Sequence, residues 1–436
     1  MTTPRIAVIG GGWAGIAAAL EATLRGHAVT LFEMAPQLGG RARAVDAAGL
    51  TLDNGQHILI GAYTETLRLM RAVGVDVDAA LLRTPLRVVD PQGLGLQLPV
   101  GPPLLAFARG VLARRGWSIG ERLALLRAAA GWWRGGFRCD ESSTVQQLCG
   151  HLPKAVREDL IEPLCIAALN TPAAAASARV FLRVLHDALF AGPGSADLLL
   201  PRVSLSALLP GPAARWLASR GATVLTGRRV QSIEADGRHW HVDGERFDGV
   251  VLACTAVEAA RLAEPLDAAW AAQARALRYE PIVTIYLRCD GMRLAPPMLS
   301  LRSDEGGSRW PAQFVFDLGA LGGAQDVFAF VVSGAQRWVD AGLQSTGDAA
   351  LTQARAQLAQ HLRGEPVLLR VLTEKRATFR CTPGLQRPPA RIAAGLCAAG
   401  DYIDGPYPAT LEGAVRSAIG AIGTIGAIEA ITAARP

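Results

Sequence analysis

Lysine is almost absent: Lys154 and Lys375 are the only two among 436 residues. Arginine therefore carries nearly all of the positive charge, and the net charge of +6 is modest for this length. There is no recognisable nucleic-acid module, which argues against nucleic acid as a partner. Cysteine is sparse as well. Cys139, Cys149, Cys165, Cys254, Cys289, Cys381 and Cys397 are odd in number and form no C-x-x-C pair. That pattern argues against a disulfide framework or a metal site, and fits a reducing, cytoplasmic compartment. Also missing is any run of ~18 uncharged apolar residues, so no segment reads as spanning a bilayer. The apolar stretch from Arg5 to Ala19 mimics a signal peptide, but its glycines and the strand that follows suit a nucleotide fold better. With 50% hydrophobic residues the chain can bury a large core, and its length suggests roughly two to three domains of ~150 residues.

What is present begins at once. Arg5 to Ile9 is mostly apolar, as a strand buried on both faces of a parallel sheet must be. It runs into Gly10-Gly11-Gly12-Trp13-Ala14-Gly15, with glycines at the three positions of G-x-G-x-x-G. Gly10 permits a tight turn, Gly12 lets the backbone approach a pyrophosphate, and Gly15 lets the next helix, Ile16 to Arg25, pack on the strand. The helix start offers free N–H groups and a positive dipole end to phosphates. A second strand, His27 to Phe32, ends at Glu33, placed to accept hydrogen bonds from both ribose hydroxyls. The run Gly39-Gly40-Arg41-Ala42 then adds a second glycine turn and an arginine beside the same pyrophosphate. The fold class is α/β: a doubly wound, Rossmann-like dinucleotide domain interleaved with a substrate domain of mixed sheet and helical lobe.

Three further runs narrow the reading: Asp53-Asn54-Gly55-Gln56-His57, Ala399-Gly400-Asp401, and Tyr407 to Val415 with its Pro408-Ala409-Thr410-Leu411 core. Together with the glycine turns they resemble the amine oxidase and carotenoid desaturase superfamily of flavoproteins and, within it, the hydroxysqualene dehydroxylase group, over nearly the whole chain. The resemblance implies an FAD-binding domain made of 1–78, 201–256 and 385–436, with 79–200 as a helical part and 257–384 as a sheet part of the substrate domain. It implies FAD contacts from Gly10, Gly12, Trp13, Ala14, Gly15, Glu33, Gly39, Gly40, Arg41, Ala42, Gly55 and Gln56. It adds the backbone of Val230 at the adenine, Gly400 and Asp401 at the ribitol or pyrophosphate, and a helix opening at Thr410 or Leu411 toward the flavin. No cysteine near Pro408 could form a thioether, so FAD is expected to be non-covalent. Strands are expected at Val230 to Glu234, in a hairpin around Trp240 to Val242, and in alternating runs between Ile282 and Val332 that would floor a cavity.

The implied substrate is a C30 isoprenoid, hydroxysqualene, and the implied product is squalene. Removing an allylic hydroxyl requires a proton donor and a cavity that keeps water from the resulting cation, with hydride coming from reduced FAD. His57 is the leading donor, with Asp53, Tyr402, Asp404 and Tyr407 as rivals. The plainer alternatives make His57 a hydrogen-bonding group of the flavin or its loop, Asp53 a loop anchor, and Asp404 and Tyr407 turn residues. An oxidative polyprene desaturase would share the cavity. A lipid escort without FAD is disfavoured by the intact glycines, Glu33, Arg41 and Asp401. Between Arg109 and Arg138 stand seven arginines against one acid, Glu121, interleaved with Trp117, Trp132 and Trp133. That segment, within 104–138, is either a patch for an anionic membrane surface, making the protein peripheral on the inner face of the cell membrane, or the solvent face of an arginine-rich lobe. The resemblance also implies upstream squalene-synthase-like enzymes as partners.

Overall fold

β1 (Arg5–Ile9) has Ile6, Ala7 and Val8 fully buried, which requires a neighbour on each edge and cover on both faces. The computed structural model, which describes residues 3–47, 49–304 and 309–433, provides both. β1 pairs in parallel with β2 (Ala28–Phe32), which pairs in parallel with β3 (Thr223–Leu225); on its other edge β1 meets β4 (Gly249–Leu252). The chain then builds a second, antiparallel sheet from β5 (Tyr279–Arg288), β6 (Met298–Ser300), β7 (Phe314–Asp317), β8 (Val327–Val332) and β9 (Val367–Phe379), in the order β6-β7-β8-β5-β9. It returns with β10 (Arg391–Ala393) and β11 (Leu396–Ala398) to complete the first sheet as β3-β2-β1-β4-β11-β10, antiparallel only at β10.

Six helices matter for the site: α1 (Trp13–Leu24), α2 (Thr64–Ala72), α3 (Pro103–Ala113), α4 (Ile119–Arg134), α5 (Ala178–Leu189) and α6 (Leu411–Ala433). Side chains of β1 alternate between two cores. Ile6 and Val8 join residues of α1 and α6 on one face. Ala7 and Ile9 join the other, which continues into the helical lobe through Val111, Leu125 and Phe181 and reaches Tyr402 and Ile403. Each fully buried Ile or Val adds about 1.5–3 kcal/mol, so this two-sided cover is what holds the parallel sheet. The crossing of α1 over β1 is closer than any side chain allows: a Cβ at Gly15 would stand 1.7 Å from the Gly10 carbonyl oxygen.

Two expectations are corrected. Val230 to Ser232 is not strand, which begins only at Ile233. The backbone N–H groups of Gln231 and Ser232 donate to the Asp243 carboxylate at 2.7 and 3.0 Å, so a side chain occupies the donors a ladder would need. The expected helical part is not helical throughout either. Its first residues form strands at Leu81–Thr84, Arg87–Val89 and Gly95–Gln97, and Leu81–Thr84 pairs with Leu198–Pro201.

α2 lacks a side-chain cap of its own. The buried Glu412 of α6 supplies one, accepting from Glu65 N at 3.1 Å, Thr66 N at 2.9 Å and Thr66 Oγ1 at 2.7 Å. Arg416 Nε, at 2.8 Å, balances the charge. Removing this carboxylate would orphan buried donors and leave Arg416 without its anion. Glu412→Ala is therefore expected to lower unfolding stability by about 3–5 kcal/mol, read by urea titration. A change of less than ~0.5 kcal/mol, as at ordinary surface positions, would refute the cap.

Candidate active site

The glycine turns build a cradle back to back. Gly10 takes φ +109° and Gly40 takes φ +58°, and a Cβ on Gly40 would stand 3.0 Å from the Gly12 Cα. Gly39 N donates to Gly11 O at 2.8 Å, and Trp13 Nε1 donates to Ala42 O at 3.0 Å, so Trp13 and Ala42, both buried, staple the two turns together. Gly12 caps α1 without any side-chain hydrogen bond, and a Cβ there would meet nothing nearer than 3.9 Å. An open approach to an uncapped helix start is what a pyrophosphate requires. Glu33 is buried at the end of β2, its carboxylate accepting from Gly11 N at 2.6 Å and Ala35 N at 2.7 Å.

Arg41 joins distant parts of the chain. Its guanidinium donates to Asp401 Oδ1 at 2.6 Å and to the carbonyls of Ala377 and Arg376, on β9, at 2.7 and 3.2 Å. Burial lowers its pKa, but Asp401, with smaller contributions from Tyr279 and Glu374, raises it by more than that and keeps the group charged. Beside this pair stand Tyr279, pushed up to about 12 by burial and then by Asp401, and Tyr402, raised well above the usual phenol range by burial first and then by Cys254 and Tyr279. The Tyr402 hydroxyl is buried with no hydrogen-bond partner in the protein, and the Thr284 hydroxyl on β5 is likewise orphaned. The orphaned Tyr402 hydroxyl, close to Arg41 and Asp401, fits a dinucleotide that brings its own acceptors.

The Asp53–His57 run lies over the second sheet. A Cβ on Gly55 would come within 3.7 Å of Thr284 Oγ1 and 3.8 Å of His57 Cε1, and Gly55, Gln56 and His57 all remain partly exposed. His57 Nδ1 lies 2.8 Å from the Gly55 carbonyl oxygen, which fixes that nitrogen as the donor and leaves Nε2 as the acceptor of a neutral ring. Burial lowers the His57 pKa, and Arg41 lowers it further. The Asp53 carboxylate accepts from Leu205 N at 2.9 Å, and its own carbonyl accepts from the buried Tyr286 hydroxyl at 2.7 Å. The face of β5 below carries Ile282, Thr284 and Tyr286, an apolar floor interrupted by one hydroxyl, and packs on Leu52 and Leu200.

Other candidates engage different partners. Asp404 is exposed, its carboxylate accepting from Gly405 N at 2.9 Å. The Tyr407 ring lies near the guanidinium groups of Arg183 on α5, at 5.2 Å, and Arg416 on α6, at 5.8 Å. Thr410 Oγ1 accepts from Gly413 N at 3.0 Å and so opens α6, with Leu411 as its first residue. Gly400 N donates to Ser417 Oγ at 2.8 Å, fixing the turn that presents Asp401. Val230 O accepts from Arg261 at 2.6 Å. Both lysines are exposed.

One residue that the sequence does not single out organises the late loop. Arg387 donates to the carbonyls of Tyr407 at 2.9 Å, Asp401 at 3.4 Å and Gly405. Its guanidinium rests 5.0 Å from the Phe379 ring. Nothing local marks it, because its acceptors are backbone carbonyls of a loop that folds back later.

Two measurements test the site. Glu33→Ala should weaken nucleotide retention on the order of tenfold or more, for the loss of a charge-assisted acceptor, while Glu33→Gln keeps part of it; equal flavin-to-protein absorbance ratios in all three proteins would refute the assignment. Asp53 gives a pH signature. Burial pushes its pKa up to about 6, whereas an unfolded aspartate titrates near ~3.9. The native state then binds more protons between those values, so this group's contribution to stability falls as pH rises from ~4 to ~6 and is constant above. The wild-type-minus-Asp53→Asn stability difference should decline by up to ~3 kcal/mol across that window, and a flat difference would refute it.

Comparison with known proteins gives these features a family. The profile described as flavin containing amine oxidoreductase matches residues 13–421. The chain is similar to the hydroxysqualene dehydroxylase of Rhodopseudomonas palustris, at 29% identity over 94% of this chain and 95% of that one. It is similar to the protein of the same name from Sinorhizobium fredii, at 27% identity over 94% and 95%. A solved oxidoreductase structure from Methanosarcina mazei shares the fold, with a TM-score of 0.71 at 17% identity, covering 96% of this chain and all of that one. FAD is accordingly the cofactor of this protein, and the chain belongs to the flavin containing amine oxidoreductase family.

Proposed function

We propose that this FAD-dependent oxidoreductase reductively removes the allylic hydroxyl of hydroxysqualene to give squalene. The observation that supports it most is the end-to-end similarity to two dehydroxylases of that name, and the site has the matching character. Gly10–Gly15, Glu33, Gly39–Arg41, Asp401 and the first turn of α6 hold FAD, which supplies the hydride when bound and reduced. Ile282 and Tyr286 floor the site beneath His57 and exclude water, so an electron-deficient allylic carbon is shielded from hydration. The Thr284 hydroxyl, buried and unpartnered, offers a hydrogen bond within that floor.

His57 works through Nε2. Its neutral ring accepts a hydrogen bond from the substrate hydroxyl and orients it, and the protonated ring gives the leaving oxygen its proton. Because burial lowers its pKa, the protonated form is populated at lower pH than for an ordinary histidine. Turnover that depends on this proton rises as the pH falls.

The deciding experiment is an anaerobic single turnover of pre-reduced, FAD-loaded protein with hydroxysqualene, following flavin absorbance and product mass. Flavin reoxidation matched by squalene is the expected outcome. A flavin that stays reduced, while the oxidised enzyme dehydrogenates polyprenes, would replace this reading with the desaturase. In the same assay His57→Gln should keep FAD and lose the acid-side rise in rate; a profile equal to wild type would remove His57 from the chemistry.

A further inference from the structure

The arginine-rich segment folds as a helical hairpin, α3 and α4, whose outer side is unusual in two respects. First, it exposes large apolar side chains: Leu104 at 51%, Leu105 at 56%, Leu112 at 50%, Ile119 at 74% and Trp133 at 56%. Scattered exposed leucines need no explanation, but a cluster on two consecutive helices does. Second, its charge is of one sign. Arg109, Arg115, Arg127, Arg134 and Arg138 are all exposed. The one acid of the segment, Glu121, is occupied at the start of α4, where it accepts from Ser118 N at 2.7 Å and Ser118 Oγ at 2.9 Å.

The arrangement on α4 separates the two kinds of side chain. At about 3.6 residues per turn, Trp133, Ile119, Ala130 and Leu123 fall on one strip, with Arg127 and Arg134 along its edge. The solvent side of this helix is thus itself amphipathic. The hairpin is also rigid. Arg122 donates to Leu112 O at 2.9 Å across the two helices. Arg114, which the sequence groups with the other arginines, is instead buried, reaching Asp159 at 3.2 Å and lying 4.9 Å from the Trp117 ring. Trp117 is buried too, so neither belongs to the outer surface.

We infer that this face docks on the surface of a phospholipid bilayer with acidic headgroups, the apolar strip entering the acyl boundary and the arginines meeting the phosphates. Charge complementarity selects this occupant, since five exposed cations with no free acid among them suit an anionic surface. Attachment is at the surface, because no helix among the described residues is long and apolar enough to cross a membrane. The inner side of the same hairpin, through Phe107, Val111 and Leu125, belongs to the apolar core that extends to Phe379 and Tyr402. The inference does not depend on the proposed reaction, since it is read without substrate.

The test is flotation of the FAD-loaded protein with vesicles of phosphatidylcholine alone or mixed with phosphatidylglycerol, at low and high salt. Wild type should float with the mixed vesicles, less at high salt, and stay behind with phosphatidylcholine alone. The pair Ile119→Ser with Trp133→Ser, and the triple Arg115→Gln, Arg127→Gln and Arg134→Gln, should each lower partitioning on the order of tenfold or more. Because these residues are exposed, melting temperature and flavin content should stay at wild-type values. Wild type remaining at the bottom with phosphatidylglycerol vesicles would overturn the inference, as would variants that float as wild type does. Self-association that both variants abolish, without flotation, would overturn it in favour of a protein partner.

Discussion

The site depends on one guanidinium. Arg41 leaves the second glycine turn, crosses to β9 of the other sheet, and meets Asp401 just beyond β11, residues more than three hundred positions away in the chain. Asp401 is buried, and a buried charge is tolerated only when its partner is fixed. The two sheets are therefore not free to slide on each other without breaking this junction. It also sets the local field, since the same cation that binds Asp401 disfavours a proton on His57.

The titratable rings around that charge are neutral, although Glu374 acts on it and Arg376 acts on Tyr279. The tyrosines at 279 and 402 keep their protons, the His57 ring is uncharged at neutral pH, and the floor below is apolar apart from Thr284. Such a pocket stabilises charge poorly wherever the protein does not supply a partner, which raises the value of each placed hydroxyl. A polar substrate would find few partners over this floor. A long hydrocarbon with one oxygen would find enough.

What could be read in advance was local. Gly10, Gly12, Gly15, Glu33 and Arg41 announce themselves because their tasks depend on spacing within a few tens of residues, and the parallel strands because burial on both faces leaves an apolar run. The late loop was legible as a motif but not as an arrangement. Asp404 and Tyr407 stand beside Asp401 in sequence, yet one turns to solvent and the other to Arg183. Glu412 acts on backbone groups on a helix near the start of the chain, and Arg387 on the carbonyls of an irregular loop that carries no spacing rule, so no pattern of residue types encodes either partner. Val230 shows the converse failure: a good strand former whose neighbouring N–H groups were taken by the Asp243 side chain. In the arginine-rich hairpin the composition was plain, but which arginine turns inward depended on Asp159, which no local spacing reveals.

The order of strands in the first sheet has a consequence for how the protein is made. β4 pairs with β1 on one side and with β11 on the other, through Val250 with Leu396 and Val251 with Cys397. While the ribosome works through the roughly 140 residues between them, the nascent sheet presents a bare apolar edge. During that interval the Arg41 junction lacks Asp401 and α2 lacks the Glu412 cap. The growing chain therefore passes through a stage in which its nucleotide domain is largely threaded but still open, with an exposed edge that suits a chaperone. Asp401, the partner of Arg41, is itself made only after the strand that closes that edge.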